Sequence, residues 1–148
     1  MNPFDLKSVL FARHAQHVVL IHFPIALFLV SVAFDFAAQW KRAAVFATVA
    51  YFNLSVAAFS SVPAVATGLM AWRWQLEGQK LKGTLLLHLV LGLASTVLIW
   101  LVWWVHFRGR KPERTLPAYR LPLEIVAAAV VALTAHLGGF LSGVNAGV

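Results

Sequence analysis

The sequence predicts an all-α integral membrane protein: a four-helix up-down bundle preceded by a short N-terminal amphipathic surface helix, with no strand anywhere. Three observations carry that prediction. Hydrophobic residues make up 61% of the 148 and charged residues 11%, with a mean hydropathy of +0.80, so the bilayer rather than water is the solvent to reason in. Four apolar runs are each long enough to cross the hydrocarbon core, which takes about 20 helical residues. The Lys and Arg residues sit mostly in the gaps between those runs, as loops flanking membrane spans do.

Asn2-Pro3 offers an N-cap with proline at the first helical position, and Phe4, Leu6, Val9, Leu10 and Phe11 alternate with Asp5, Lys7 and Arg13. This predicts the surface helix. The first span is expected over 17–38, closed by Gln39-Trp40-Lys41-Arg42, an aromatic and basic edge suited to the headgroup layer. The second, 43–72, contains Ser60-Ser61-Val62-Pro63, where proline's missing amide predicts a kink. Ala57, Ala58, Ala64, Ala66 and Gly68 around it allow close helix approach. The third span, 83–106, ends on Trp100, Trp103 and Trp104, an interfacial belt. The polar stretch 107–120, with Pro112 and Pro117, lies outside the bilayer, and the fourth span covers 121–141. The chain reads as a single membrane domain, 1–148, with no internal repeat. Four spans put both termini on one side. Seven Lys and Arg in the first and third loops against five on the side of the termini turn those loops to the cytoplasm.

Composition excludes several classes. The net charge of +7 marks topology and anionic headgroups, not nucleic acid. The absence of cysteine removes disulfides, thiolate metal sites and covalently attached c-type haem. A histidine-bearing segment followed by a full-length apolar run, with no small-residue cleavage site, is not a cleavable signal. No phosphate-cradling glycine loop, serine nucleophile or paired-carboxylate signature is present, so no hydrolytic or transferase machinery is visible.

The chemistry lies in the histidines. His14, His17 and His22 crowd the entrance of the first span, and His22 falls inside the membrane, where an imidazole is costly unless paired, hydrated or bound to something. His22, His88 and His136 each fall about five residues from the same membrane face, roughly 7 to 8 Å deep at 1.5 Å per residue. His17 caps that region. Three imidazoles at one depth in a bundle predict a shared ligand or redox site; the bland alternative is mutual hydrogen bonding. Without cysteine, the ligands that imidazoles alone can hold are haem b or a copper or zinc ion. Because the first and third helices of an up-down bundle are diagonal, His22 and His88 are the expected axial pair, with His136 and His17 supporting from outside. Phe23, Phe59, Gly68, Gly138 and Gly139 are expected to line the macrocycle. At the opposite face, Asp35, Glu124 and His106 are expected to form interfacial ion pairs with Lys41, Arg42, Arg108 or Arg120. A proton relay at Asp35 is the lesser reading there.

The pair His14 and His17 upstream of His22-Phe23-Pro24 resembles the motif of a bacterial four-helix membrane family, the domain of unknown function 2231, in which prolines follow the upstream histidines. The resemblance continues with Asp35, Gly68, His88 and Gly138-Gly139-x-Leu141, nearly the whole chain. Phe140, Gly143 and Asn145 stand where the family's ending has glutamate, tyrosine and histidine, so any role of those groups is lost or moved here. Relatives are sometimes fused to Rieske or cytochrome c domains, which implies membrane redox work. The resemblance also implies a bacterial inner membrane, with both termini then periplasmic. The leading expectation is a haem b electron-transfer subunit. The alternatives are a structural subunit without cofactor, or a protein that handles copper or zinc through histidine alone. A bundle this small is expected to work as a homodimer or within a larger membrane complex.

Overall fold

The computed structural model describes residues 13–74, 78, 80–110 and 116–142. It contains α1 (Arg13–Lys41), α2 (Ala44–Trp74), α3 (Gly83–Gly109) and α4 (Arg120–Leu141), with no strand among the described residues. All four helices are long and apolar enough to span a bilayer, and they fall on the four expected spans. The expected surface helix lies outside the described residues. Pro24 and Pro63 sit inside α1 and α2, both of which run unbroken through them. A tight turn joins α1 to α2: Arg42 takes a left-handed φ of 49° and the Phe46 amide donates to the Ala43 carbonyl at 3.1 Å.

The helices close a ring in chain order. α1 packs most closely on α2 and α3 on α4, while α2 with α3 and α1 with α4 complete the circuit, leaving α1 and α3 diagonal. Neighbours are antiparallel, since His17 near the start of α1 meets Ala64 and Thr67 late in α2, and Asp35 near the end of α1 meets Arg120 at the start of α4. The core is at mid-depth, where Phe28, Leu54, Ile99, Val102 and Val131 interdigitate with Ala57, Ala58 and Ala127. Small residues on α2 and α4 there let backbones approach where lipid supplies no hydrophobic drive for association.

Burial reveals a correspondence between the two halves. A shift of 71 residues carries buried Pro24, Phe28, Ser31 and Asp35 of α1 onto buried Ser95, Ile99, Val102 and His106 of α3. A shift of 70 carries buried Leu54, Ala57 and Ser61 of α2 onto buried Glu124, Ala127 and Val131 of α4. Val56-Ala57-Ala58 with Gly68 recurs as Val126-Ala127-Ala128 with Gly138. The inward-facing positions of the two helical hairpins therefore correspond. Because α1 and α3 run the same way, that correspondence is parallel, not inverted. The two halves match in inward-facing positions more than in residue identity, and identity is what a reading along the chain detects.

Candidate functional site

The hairpin correspondence pairs His17 with His88. In the first hairpin, Nδ1 of His17 donates to the Ala64 carbonyl at 3.1 Å and lies 3.3 Å from the Thr67 hydroxyl. In the second, Nδ1 of His88 donates to the Thr134 carbonyl at 3.1 Å. Ala64 and Thr134 each precede by one helical turn a glycine that the ring lies against. A Cβ built on Gly68 would sit 2.9 Å from Cε1 of His17, and one on Gly138 would sit 3.1 Å from Cε1 of His88. Each imidazole thus lies close against the bare backbone of the facing helix, where a Cβ would require the ring to shift. The depth estimate that set His22 beside His88 is corrected accordingly: α1 begins before the expected span, and the register that matches His88 is that of His17.

His17, His22 and His88 line a cavity of about 920 Å³ between all four helices, in the half of the bundle where α2 and α4 end. Its size falls within the roughly 300–1,000 Å³ of small-molecule and cofactor sites. The walls are mainly apolar, with Gly68, Gly92, Gly138 and Gly139 giving room and Ser61, Ser95, Thr96 and Thr134 adding hydroxyls. The Ser95 and Thr134 hydroxyls bond at 2.9 Å, and Thr134 also donates to the Val130 carbonyl. Nδ1 of His22 donates to the Val18 carbonyl at 2.6 Å within its own helix. A carbonyl only accepts, so in each of the three rings Nδ1 carries a proton. Metal-binding histidines are usually held this way, with the second nitrogen donating to a carbonyl that fixes tautomer and ring.

Other expected residues stand elsewhere. His136 is exposed and packs edge-on against Phe140 at 4.9 Å, and it is not among the cavity's lining residues. Phe23 is 53% exposed and also outside the lining. Phe59 belongs to an aromatic cluster with Trp100 and Trp103 at 5.2 and 5.9 Å. Trp103 donates from Nε1 to the Ser55 hydroxyl at 3.1 Å, so part of the expected tryptophan belt joins α2 to α3. The cavity's imidazoles do not converge on a single ion. Among the described residues, the one group of three such side chains whose ligand atoms lie within 4.8 Å of one another is Asp35, His106 and Glu124, at the other end of the bundle. Of the expected ion pairs there, Asp35 with Arg120 forms at 3.0 Å, whereas His106 and Glu124 pair with each other at 2.7 Å.

A family model of predicted membrane proteins, DUF2231, matches residues 13–146, nearly the whole chain. The chain belongs to this family. As a DUF2231 protein it is a membrane protein whose four helices sit in a lipid bilayer. No curated protein and no solved structure matches it. What the motif reading of this DUF2231 chain missed was the equivalence of His17 with His88 and the part played by Thr134. The recurrence of Val-Ala-Ala with its distant glycine aligns α2 with α4, and with them Gly68 with Gly138.

Proposed function

We propose that this DUF2231 protein binds haem b in the histidine-lined cavity and acts as an electron-transfer subunit of a bacterial inner membrane. The observation that carries the reading is the pair of imidazoles on diagonal helices, His17 and His88, each with Nδ1 held by a carbonyl of the facing helix. Two imidazoles lining one cavity from diagonal helices suit a two-sided ligand. His17 takes the place that the sequence reading gave to His22, whose counterpart in the second hairpin is Leu93. A directly bound copper or zinc ion is disfavoured. Drawing three imidazoles onto one ion would turn them off the carbonyls that hold them.

The residues present fit the group. The cavity has the right order of size, its walls are mainly apolar, and Gly92 on α3 leaves open space beside it. Arg73, Lys80 and Lys82 border this end of the bundle and would meet carboxylates at the membrane surface. Haem, when bound, supplies a one-electron iron couple. The chain's residues hold the ligating tautomer, exclude water with aliphatic side chains and keep the site below the headgroups. His22, one to two turns deeper, also lines the cavity, and His136 stays outside it.

The test is the absorption spectrum of purified protein, as isolated and after titration with haemin. A stoichiometric Soret band with low-spin features supports the reading. Protein that stays colourless and leaves the haemin spectrum unchanged overturns it, and such protein copurifying with a large complex would point to a structural subunit. We further propose that the first and third loops face the cytoplasm and that the bundle works as a homodimer or within a larger membrane complex. Reporter fusions in those loops and native electrophoresis test these two points.

A further inference from the structure

Asp35 and His106 lie 18 residues beyond His17 and His88, which is about five turns at 3.6 residues per turn. They therefore share the inner faces of α1 and α3 with those histidines, at the opposite end of the bundle. Four ionisable side chains meet there. Nε of Arg120 donates to Oδ2 of Asp35 at 3.0 Å, and Nε2 of His106 lies 2.7 Å from Oε1 of Glu124. Gln39 adds a donor to Asp35 at 3.4 Å. Glu124 is 1% exposed and His106 5%. Oε2 of Glu124 is buried and has no hydrogen-bond partner among the described residues. From α1 comes Asp35, from α3 His106 and from α4 Arg120 beside Glu124; α2 contributes no charge, since its one charged residue, Arg73, lies at the other end.

Counting charge identifies the ligand. Arg120 and Asp35 cancel. Glu124 and His106 are neutral together when they hold one proton between them, whichever of the two carries it. Without that proton the cluster keeps one buried negative charge, and a divalent cation in its place leaves one buried positive charge. Either is strongly unfavourable in a low-dielectric interior without a partner.

We propose that Glu124 and His106 form a proton-binding site, holding one exchangeable proton beside the fixed Asp35–Arg120 pair, and that Arg120 excludes divalent cations from it. Within the pair the proton passes from Nε2 of His106 to Oε1 of Glu124, breaking the N–H bond as the O–H bond forms, and returns the same way. Oε2, which has no hydrogen-bond partner among the described residues, is where a proton enters or leaves. The apolar core of Phe28, Leu54, Ile99, Val102, Ala127 and Val131 separates this site from the histidine cavity. Exchange is therefore with the membrane face at which α1 and α3 end. The inference does not depend on haem.

The test uses the full chain in lipid bilayers, with nitrogen NMR of the imidazoles and infrared spectra of the carboxyl groups across pH. Subtraction of His106→Gln and Glu124→Gln spectra assigns the signals. In the wild type, the His106 and Glu124 signals should change together with a common midpoint. Glu124→Gln keeps an oxygen facing Nε2 but removes the acid, and His106 should then stay neutral across about pH 5 to 8, the range in which histidine ordinarily titrates. Excess zinc should leave the wild-type His106 and Glu124 signals unmoved and should shift both in Arg120→Gln. An unchanged His106 titration in Glu124→Gln overturns the proposal. So does zinc binding at this cluster in the wild type, which would make it a metal site. If Arg120→Gln is not recovered folded, the wild-type zinc titration decides the exclusion of divalent cations alone.

Discussion

Substituting Gly68 by alanine tests the close approach on which the site is built. The new Cβ would lie 2.9 Å from Cε1 of His17, whereas ordinary contact begins at 3.4 Å, so the ring has to retreat by about half an ångström. Overpacking of that kind costs about 1–3 kcal/mol. Retreat also weakens the Nδ1 bond to the Ala64 carbonyl, worth about 0.6 kcal/mol between helices in a membrane. Alanine's better helix propensity returns about 0.8–1 kcal/mol. The expected net result is a loss of about 0.6–2.8 kcal/mol. Gly138→Ala, with its Cβ 3.1 Å from His88, should follow with a somewhat smaller loss. Gly92→Ala is the control, because its Cβ meets only the Thr134 methyl at 3.9 Å, and it should stabilise by up to about 1 kcal/mol. Equilibrium unfolding in mixed detergent micelles measures all three. The decisive arm is the double variant His17→Ala with Gly68→Ala, in which the clash is gone and the alanine should become stabilising. Equal signs for Gly68→Ala and Gly92→Ala in the wild-type background would refute the reasoning.

Three further outcomes are expected. Asp35→Leu leaves the Arg120 guanidinium buried without its partner and should cost about 3–5 kcal/mol by the same unfolding assay, whereas the double replacement of Asp35 and Arg120 by leucine should recover most of it. Trp103→Phe and Ser55→Ala each remove the bond between Nε1 and the Ser55 hydroxyl and should each lose about 0.5–1.5 kcal/mol, with the double variant losing less than the sum of the two. Thr134→Val removes the hydroxyl bonded to Ser95 but keeps the carbonyl that accepts from His88, so it should cost about 0.6–1.7 kcal/mol while His88 retains its nitrogen chemical shifts.

The four helices were legible because apolar length is a coarse signal that survives any detail of packing. Asp35, Glu124 and His106 were legible as ion-pairing residues for a similar reason, since buried charges in a bundle must find partners. Arg120 was one of four partners the sequence offered, but which of the four would pair was not legible, nor was the pairing of His106 with Glu124. The exposed Lys41, Arg42 and Arg108 lie close in sequence, but only Arg120 projects from α4 into the level of Asp35. The histidine level was misjudged by one to two turns because depth was counted from a span boundary, and boundaries are the least certain part of any helix. Phe23 and Phe59 follow from the same limit: an apolar helix in lipid carries aromatic residues all round, so hydrophobicity no longer says which face looks inward. Burial repeated across two hairpins does say it, and only packing shows burial.

The two ends of the bundle differ in a way that electrostatics requires. Identical hairpins would place the same residue at the Asp35 and His106 positions, and the same residue at those of Leu54 and Glu124. Carboxylates at all four positions would crowd like charges in a low-dielectric interior, where each needs its own counter-charge. The split into Asp35 with His106, and Leu54 with Glu124, together with Arg120, leaves a set that one proton makes neutral. Neutral imidazoles carry no such penalty. The histidine and its glycine can therefore stand in both hairpins, and the end of the bundle that holds them keeps an approximate two-fold arrangement around a single cavity. A ligand with two equivalent faces, as proposed, would match that end, and the proposed single proton the other.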